Sequence, residues 1–189
     1  MNNIEISKIA NLPTKYGAFK IQSFKDEEGK EHLAIFTEHL NASPIVRVHS
    51  ECLTGDVLGS VKCDCGEQLS YALAVIAKEG GLIIYHRQEG RNIGLLNKVN
   101  AYALQDQGFN TIEANHQLGF RADERDYEIV EFILGHLEID SIKLLTNNPR
   151  KLESLGSVEI VERLPIQIEA NPHNVDYLKI KKNEMGHML

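Results

Sequence analysis

The first fifty residues show short alternations of apolar and polar side chains, a pattern typical of half-buried β-strands. Turn-like segments rich in glycine and charged residues, at residues 15–17 and 26–30, interrupt the alternation. Because strands and turns follow one another without a helical period, this region predicts the antiparallel part of a sheet. The predicted strands cover, approximately, residues 4–10, 18–25, 32–38 and 44–49.

After Cys65 the apolar period becomes that of a helix. A helix is predicted over residues 67–79 and ends at the pair Gly80-Gly81, and a buried strand follows at residues 82–85. Farther along the chain the pattern predicts a short helix after Pro149. The remaining predicted elements are helices over residues 93–107, 126–137 and 174–185 and strands over residues 142–146 and 158–161.

Two of these helices carry apolar faces that we expect to pack inward. The first face consists of Leu69, Leu73, Ile76 and Ala77. The second consists of Leu95, Val99 and Tyr102. Strands followed by alternating strand and helix predict an α/β fold, a mixed sheet with helices packed on it. The length of 189 residues fits a single domain over residues 1–189.

The net charge of −7 restricts the partners of the chain. Nucleic-acid-binding domains usually carry a basic surface, so we expect no nucleic-acid partner, whereas an anionic small molecule needs only a local cluster of cations. No apolar run approaches the roughly 18–20 residues that cross a bilayer. The first residues lack the basic head and apolar stretch of a secretory signal. We therefore expect a cytoplasmic protein with no membrane partner.

Three cysteines lie close together, at Cys52, Cys63 and Cys65. Thiolates are good zinc ligands, and Gly66 would let the chain turn tightly around an ion. Buried inert cysteines are the alternative. That alternative fits poorly, because Cys63 and Cys65 stand among charged residues rather than in an apolar run.

The number of ligands separates a structural metal site from a catalytic one. A structural zinc site has four protein ligands, whereas a catalytic site keeps one position for water. The chain has no fourth cysteine, but His49, His86 or His116 could close the site. We favour the open, catalytic site.

Four dense polar runs stand at the ends of predicted elements, where functional sites are usually built. They are RVHSECLTGD, HRQEGRNIG, ANHQLGFRADERDY and TNNPRK. The alternative is that these runs are solvated loops. Ordinary loops, however, seldom carry so many Arg, His, Asn and Glu residues and so few Ser, Pro and Gly residues. Glu51 and Glu89 suit Mg²⁺ or proton transfer. The cations that suit a triphosphate are Arg87, Arg91, Arg125, Arg150 and Lys151.

Two residues in or near these runs have a plain structural interpretation. Asp123 is placed to cap the helix that starts near Glu124, with Asp126 in its first turn. Tyr102 fits the apolar face of its helix, and its position alone gives it no catalytic role.

Taken together, these runs closely resemble the GTP cyclohydrolase II family of riboflavin biosynthesis. The matching segments are RVHSECLTGD, KCDCGEQL, YHRQEGRNIGL, AYALQDQG, ANHQLGFRADERDY, TNNPRK and KNEMGHML. The resemblance covers nearly the whole chain. It implies a homodimeric hydrolase that converts GTP to formate, pyrophosphate and a diaminopyrimidine carrying phosphoribosylamine.

The resemblance also implies roles for individual residues. Cys52, Cys63 and Cys65 would bind Zn²⁺, which activates the water that attacks C8 of guanine, while Mg²⁺ accompanies the triphosphate. Asp123 corresponds to a general base, and Tyr102 to a tyrosine near the attacking water. The positions that correspond to GTP contacts are Arg47, Val48, His49, Ser50, Glu51, Gln68, Glu89, Gly90, Arg91, Thr111, Thr146 and Lys151.

Arg125 corresponds to a residue that attacks the α-phosphate. Because a guanidinium stays protonated and is a poor nucleophile, stabilisation of charge on that phosphate is the alternative role. Two other functions compete with the cyclohydrolase. Zinc deaminases pair their cysteines as C-x-x-C, and the C-x-C spacing here argues against them. A non-catalytic guanine-nucleotide-binding module with a structural zinc would need a fourth protein ligand.

Overall fold

A computed structural model describes residues 3–189 as a mixed eight-stranded sheet with packed helices. The strands are β1 (Glu5–Ile6), β2 (Ala10–Thr14), β3 (Gly17–Lys25), β4 (Glu31–Phe36), β5 (Ile45–Ser50), β6 (Gly81–His86), β7 (Ser141–Leu145) and β8 (Glu159–Leu164). The helices are α1 (Leu53–Asp56), α2 (Cys65–Glu79), α3 (Glu89–Asn92), α4 (Gly94–Gln105), α5 (Thr111–Gln117), α6 (Glu128–His136), α7 (Pro149–Glu153) and α8 (Val175–Glu184). No helix between residues 3 and 189 combines the length and apolarity that a bilayer crossing needs.

The sheet changes from antiparallel to parallel along its width. Strands β1 and β2 both pair antiparallel with β3, and the antiparallel pairing continues through β4 to β6. Strand β5 pairs parallel with β6 and β7, and β7 pairs parallel with β8. The order is β1-β3-β4-β6-β5-β7-β8, with β2 also beside β3. The predicted α/β class, with antiparallel strands first and alternating strand and helix after them, is confirmed.

Strand β6 shows why helices cover both faces of the sheet. Leu82 and Ile84 belong to the apolar cluster that includes Ile133 of α6. Ile83, which points the other way, belongs to the cluster that includes Ile76 of α2. Because successive side chains of a strand alternate between faces, a continuous apolar strand needs a packed layer on each side.

Three parallel strands end at the same edge of the sheet. Strand β5 ends at Ser50, β6 at His86 and β7 at Leu145. The segments that follow them hold three of the four polar runs. Because ligands of open α/β sheets bind beyond the carboxyl ends of the strands, this edge is where the fold predicts a site.

The first strand differs from its prediction. Strand β1 covers only Glu5–Ile6 instead of residues 4–10, and the pattern missed β2 at Ala10–Thr14. Pro13 lowers the strand signal of that segment, but β2 pairs with β3 alone and therefore lies at an edge. At an edge, the missing N–H of proline costs no ladder hydrogen bond.

The periodicity also missed α1, α3 and α5. Helices α1 and α3 have four residues each, which is too short to display a 3.6-residue period. Helix α5 extends into the polar run at residues 114–127, in a part of it where no helix was predicted, and a capping box begins it. Asn110 Oδ1 accepts from the N–H of Glu113, and the Glu113 carboxylate accepts from the N–H of Asn110.

The predicted inward face of α4 is wrong for Leu95 and Val99, whereas Tyr102 is half-buried. Leu95, Leu96 and Val99 are 40%, 76% and 52% exposed, whereas Lys98 and Ala101 are the buried residues of this helix. The helix is rotated so that the Lys98 ammonium meets the Glu89 carboxylate at 2.8 Å. An ion pair thus takes the inward position, and the apolar stripe faces outward.

Candidate active site

The three cysteines meet where α1 and α2 begin. Cys52 is the N-cap of α1, Cys65 opens α2, and Cys63 lies two residues earlier. Their sulfur atoms all lie within 4.8 Å of one another, and the Cys52 and Cys63 sulfurs are 3.6 Å apart. Zn–S bonds of about 2.3 Å in a tetrahedron place sulfurs roughly 3.8 Å apart. The thiol geometry therefore fits a tetrahedral metal ion.

No histidine completes this cluster in the part of the chain that the structure describes. His49 Nε2 lies 3.0 Å from Asp56 Oδ1. The His86 ring packs between the rings of His32 and Tyr127, with centroid distances of 5.3 and 5.5 Å. His116 is exposed. The three-ligand arrangement leaves one tetrahedral position without a protein ligand.

Gly66 has a role other than the expected tight turn. It lies inside α2 and is not among the glycines with positive φ. A β-carbon at Gly66 would overlap the carbonyl oxygen of Gly55 in α1. The absence of a side chain is thus needed for the close approach of the two helices that carry the cysteines.

A buried cation, Lys98, lies against the cysteine cluster. Its Nζ is 3.1 Å from Cys52 Sγ and donates to Glu89 Oε1 at 2.8 Å. Glu89 Oε2 in turn accepts from the N–H of Leu53 at 2.6 Å, which ties the residue after Cys52 to α3. Hydrogen bonds from the other two cysteine thiols, and then the charge of Lys98, hold the pKa of Cys52 below its usual value. Sequence reasoning missed Lys98, which no local pattern distinguishes from a surface lysine.

A second group of cations comes from β5, which carries Arg47, and from α7, which carries Lys151. Arg47 donates to the Leu145 carbonyl at 3.0 Å and to Gln68 Oε1 at 2.6 Å, and Lys151 donates to the Val48 carbonyl at 2.7 Å. Within residues 3–189, neither Arg47 nor Lys151 forms an ion pair, although both are at least 95% buried. Burial, and then the charges of two neighbouring arginines, keep the pKa of Lys151 well below its usual value. Unpaired buried cations of this kind mark a binding site for an anion.

Asp123 and Arg125 form a buried ion pair. Arg125 Nη2 and Nε donate to the two Asp123 carboxylate oxygens at 2.6 and 2.9 Å, and Nη1 donates to Ser50 Oγ at 2.9 Å. Burial alone would raise the pKa of Asp123, but the hydrogen bonds and charge of Arg125 outweigh it and lower that pKa to about 2. Arg150 approaches the same carboxylate at 3.1 Å. The predicted capping role is wrong, because α6 begins at Glu128 with Tyr127 as its N-cap.

Tyr102 lies beside the cysteines rather than in the core. Its hydroxyl is 3.3 Å from Thr54 Oγ1, which in turn lies 3.7 Å from Cys52 Sγ. Burial raises the pKa of Tyr102, so the phenol keeps its proton at neutral pH. The side chain can therefore donate a hydrogen bond at the mouth of the cluster.

One cavity joins the cysteines and the cations. It encloses about 1120 Å³, counting the mouth that is open to solvent. Sixteen of the residues predicted from sequence line it: Arg47, His49, Ser50, Glu51, Cys52, Cys63, Cys65, Gln68, Glu89, Gly90, Arg91, Tyr102, Thr111, Arg125, Thr146 and Lys151.

Four predicted site residues do not line this cavity: Val48, Asp123, Arg87 and Arg150. Arg87 pairs with Glu51, and Arg150 pairs with Asp123. The Val48 side chain belongs to the apolar core, and only its carbonyl points to Lys151. Asp123 contacts the cavity through Arg125. The cavity also has walls that were not named individually from the sequence: Asn147 of the run TNNPRK, His187 of the segment KNEMGHML, and Tyr177 and Lys181, which lie in none of the singled-out segments. Three of these belong to the C-terminal part of the chain, which has no dense polar run.

Comparison with known proteins identifies the family of this chain. The profile of the family described as GTP cyclohydrolase II matches residues 5–165. The chain belongs to the GTP cyclohydrolase II family. This family member is 64% identical over 185 residues to GTP cyclohydrolase-2 of Campylobacter fetus, which covers 97% of this chain and 95% of that protein. It is 54% identical over 192 residues to GTP cyclohydrolase-2 of Helicobacter pylori strain Shi470, with 100% of both chains covered. It is an enzyme of the GTP cyclohydrolase II type.

Among solved structures, a two-domain 3,4-dihydroxy-2-butanone 4-phosphate synthase from A. baumannii resembles this GTP cyclohydrolase II family member distantly. The match covers 89% of this chain and 41% of that chain, with a TM-score of 0.44 and 20% identity. So distant a likeness adds nothing to the family assignment.

Proposed function

We propose that this enzyme hydrolyses GTP at C8 of guanine, giving formate, pyrophosphate and a diaminopyrimidine that carries phosphoribosylamine, the first step of riboflavin biosynthesis. One observation carries the proposal. A three-thiol cluster without a fourth protein ligand and a group of buried, unpaired cations share one cavity. The reaction needs both parts, a metal centre for the ring and cations for the triphosphate.

Zinc is the metal that this donor set fits best. Three sulfurs within 4.8 Å of one another match its preference for thiolates in a tetrahedron. When bound, zinc supplies Lewis-acid activation of water for hydrolysis. Three thiolates would give the ion a net charge of −1, and Lys98, 3.1 Å from Cys52 Sγ, offsets that charge. Through its hydroxyl, Tyr102 is placed to orient substrate groups beside the cysteine cluster.

The triphosphate lies, in this proposal, against Arg47, Arg125 and Lys151. Binding of a polyanion would relieve the cost of burying Arg47 and Lys151 without a carboxylate partner. Mg²⁺ would accompany the triphosphate and would offset part of its negative charge. Both oxygens of Glu89 already accept hydrogen bonds, and Glu51 pairs with Arg87 at 2.8 Å. These contacts hold both carboxylates in place in the wall of the cavity.

Arg125 stabilises charge on the α-phosphate in this mechanism. Burial alone would lower the pKa of the Arg125 guanidinium, but the charge of Tyr127 and the hydrogen bonds and charge of Asp123 outweigh it and raise that pKa. A cation that does not lose its proton is a poor nucleophile. Asp123, with a pKa of about 2, is a weak base at neutral pH, so its role is to orient Arg125.

A homodimer is the assembly that we propose. The outward stripe of α4, formed by Leu95, Leu96 and Val99, supports it, because exposed apolar patches usually mark interaction surfaces. The cytoplasmic location and the absence of nucleic-acid and membrane partners stay predictions from the sequence.

A non-catalytic nucleotide-binding module with a structural zinc is the competing function. Its requirement for a fourth protein ligand is not supported, because His49 is held by Asp56 and the His86 ring lies between two other rings. It also gives no reason for the buried ion pair of Asp123 and Arg125 at the cavity.

The test incubates zinc-loaded protein with GTP and Mg²⁺ and quantifies formate and pyrophosphate, with ATP as the control substrate. We expect both products from GTP and neither from ATP. The Cys63→Ser variant should lose zinc and formate production together. GTP binding without either product would support the non-catalytic module, and full formate production by a Cys63→Ser protein would disprove the catalytic metal.

A further inference from the structure

The C-terminal helix contributes one buried side chain to the site. Lys181 is the buried residue of α8, at 9% exposure, and its Nζ donates to Asp64 Oδ1 at 2.9 Å. The ammonium also lies 4.3 Å from the centroid of the Tyr177 ring. Burying a lysine is costly unless it is paired, so this contact has to be specific. The two partners are 117 residues apart in the chain.

Asp64 stands between two of the three metal-binding cysteines. It is the N-cap residue of α2, yet its side chain makes no cap hydrogen bond. Its carboxylate, 2% exposed, instead accepts from Lys181 and, through Oδ2, from Gln68 Nε2 at 2.5 Å. An Asp at this position ordinarily satisfies the first turn of its own helix. Here the local bond is replaced by a long-range ion pair.

The contacts of Asp64 continue to the cation group of the cavity. Gln68 Oε1 accepts from Arg47 Nη2 at 2.6 Å, and Arg47 Nη1 donates to the Leu145 carbonyl at 3.0 Å. A single chain of buried polar contacts therefore connects α8 with the cysteine loop and with the end of β7.

The segment after α8 covers the cavity next to this ion pair. Gly186, with φ of 67°, turns the chain back, and the N–H of Met188 donates to the Asn147 carbonyl at 2.9 Å. The N–H of His187 donates to the Lys181 carbonyl at 3.0 Å. Tyr177, Lys181 and His187 all line the cavity that holds the cysteines.

We infer that Lys181 is a positioning residue for the metal-binding loop. It acts through Asp64 and fixes the backbone between Cys63 and Cys65 so that both sulfurs face the metal. Helix α8 thereby contributes to the metal site. This inference rests on the proposed function for the identity of the metal. Residues that orient metal ligands typically change metal affinity about 10–100-fold when they are mutated.

The experiment measures transfer of zinc from the loaded, full-length protein to a coloured chelator, without GTP. Lys181→Met should release zinc about 10-fold faster than the parent or more, because the loop loses its anchor. Lys181→Arg, which keeps the positive charge, should release zinc at a rate close to that of the parent. Lys179→Met is the matched control, since Lys179 lies on the same helix, is exposed and, among the described residues, pairs with Asp176 of that helix. It should match the parent.

A double-mutant cycle separates positioning from a general structural effect. If Lys181 acts through Asp64, the Asp64→Asn/Lys181→Met protein should release zinc no faster than Asp64→Asn alone. Lys181→Met alone leaves the buried Asp64 carboxylate without its partner, which can prevent folding. The comparison of the double variant with Asp64→Asn is still possible then, because both of these proteins lack the buried negative charge. Fully additive effects would overturn the inference, as would parent-like release by Lys181→Met.

The result is distinct from the test of the proposed function. If the parent protein binds no zinc, the proposed function fails. If the parent binds zinc and Lys181→Met holds it equally well, the proposed function stands and only the role of Lys181 is wrong.

Discussion

Gly66 in α2 packs directly against the carbonyl oxygen of Gly55 in α1, with no room for a β-carbon between them. A β-carbon at Gly55 would itself lie 2.8 Å from Cys63 Sγ and 3.2 Å from Cys52 Sγ. The two glycines thus set the distance between the helices, and that distance brings the three sulfurs together. The proposed metal site therefore depends on two residues that contribute no ligand atom.

Gly66→Ala should therefore lose most of its zinc. The added methyl group overlaps the backbone of α1, so one helix must move and the sulfurs separate. Zinc per chain after dialysis measures the effect. Gly135→Ala is the matched control, because Gly135 also lies in a helix, α6, and a β-carbon there would meet nothing within 4 Å. It should keep its zinc and gain about 0.5–1 kcal/mol of stability from helix propensity. Full zinc retention by Gly66→Ala would contradict this account.

The sequence was sufficient to predict the parts of the site whose residues lie close together in the chain. The spacing of Cys52, Cys63 and Cys65 predicts a shared metal site, and the geometry of the three sulfurs agrees. The polar runs at the ends of β5, β6 and β7 meet at one edge because parallel strands place their carboxyl ends together.

The rest depends on contacts that no local pattern encodes. Lys98 meets Cys52 across 46 residues and Lys181 meets Asp64 across 117 residues, and each lysine resembles a surface residue in its own helix. The inward rotation of Lys98 also turned Leu95 and Val99 outward, against the apolar period of α4. Tertiary ion pairs overrode the amphipathic pattern at these positions.

Asp123→Asn should lower the rate of GTP turnover by about 100-fold or more without loss of zinc. The amide keeps the size of the side chain but removes the charge that holds the Arg125 guanidinium. Formate and pyrophosphate production should fall together, as measured by steady-state kinetics on metal-replete protein. Glu124→Gln is the control, since this neighbouring carboxylate pairs with the exposed Arg121, and it should retain near-parent activity.

A second comparison tests whether Asp123 acts through Arg125. The double variant Asp123→Asn/Arg125→Lys should turn over GTP only slightly more slowly than Arg125→Lys alone, because a lysine cannot form the two parallel hydrogen bonds to Asp123. A protein that released pyrophosphate normally but made no formate would instead assign Asp123 to ring opening as a base.

His86→Phe should flatten the pH dependence of stability on the acid side of neutrality. His86 is fully buried, its ring nitrogens have no hydrogen-bond partner among the described residues, and burial lowers its pKa to about 2. The unfolded side chain titrates near 6.5. Between these values the unfolded chain binds the extra proton, so the contribution of His86 to stability falls as pH decreases through about 6.5, with a slope approaching 1.4 kcal/mol per pH unit.

Urea unfolding at several pH values between neutrality and about 4.5 checks this expectation. The free energy of unfolding of His86→Phe minus that of the parent should grow as pH falls, since phenylalanine has no proton to bind and the cysteine cluster is common to both proteins. His116→Gln, at an exposed position, should show a constant difference. A constant difference for His86→Phe would mean that the ring takes up its proton in the folded protein.

Leu96→Glu combined with Val99→Glu should convert the proposed dimer to a monomer. These side chains are 76% and 52% exposed in the single chain, on the outward stripe of α4. If a second copy covers that stripe, two carboxylates would be buried there without partners, at a cost of several kcal/mol each, enough to raise the dissociation constant more than about 100-fold. Light scattering coupled to gel filtration measures the mass. Ile9→Glu is the control, because Ile9 is 53% exposed and lies outside α4, and it should remain dimeric. A dimer that survives both changes in α4 would place the contact on another face, and a monomeric parent protein would disprove the dimer itself.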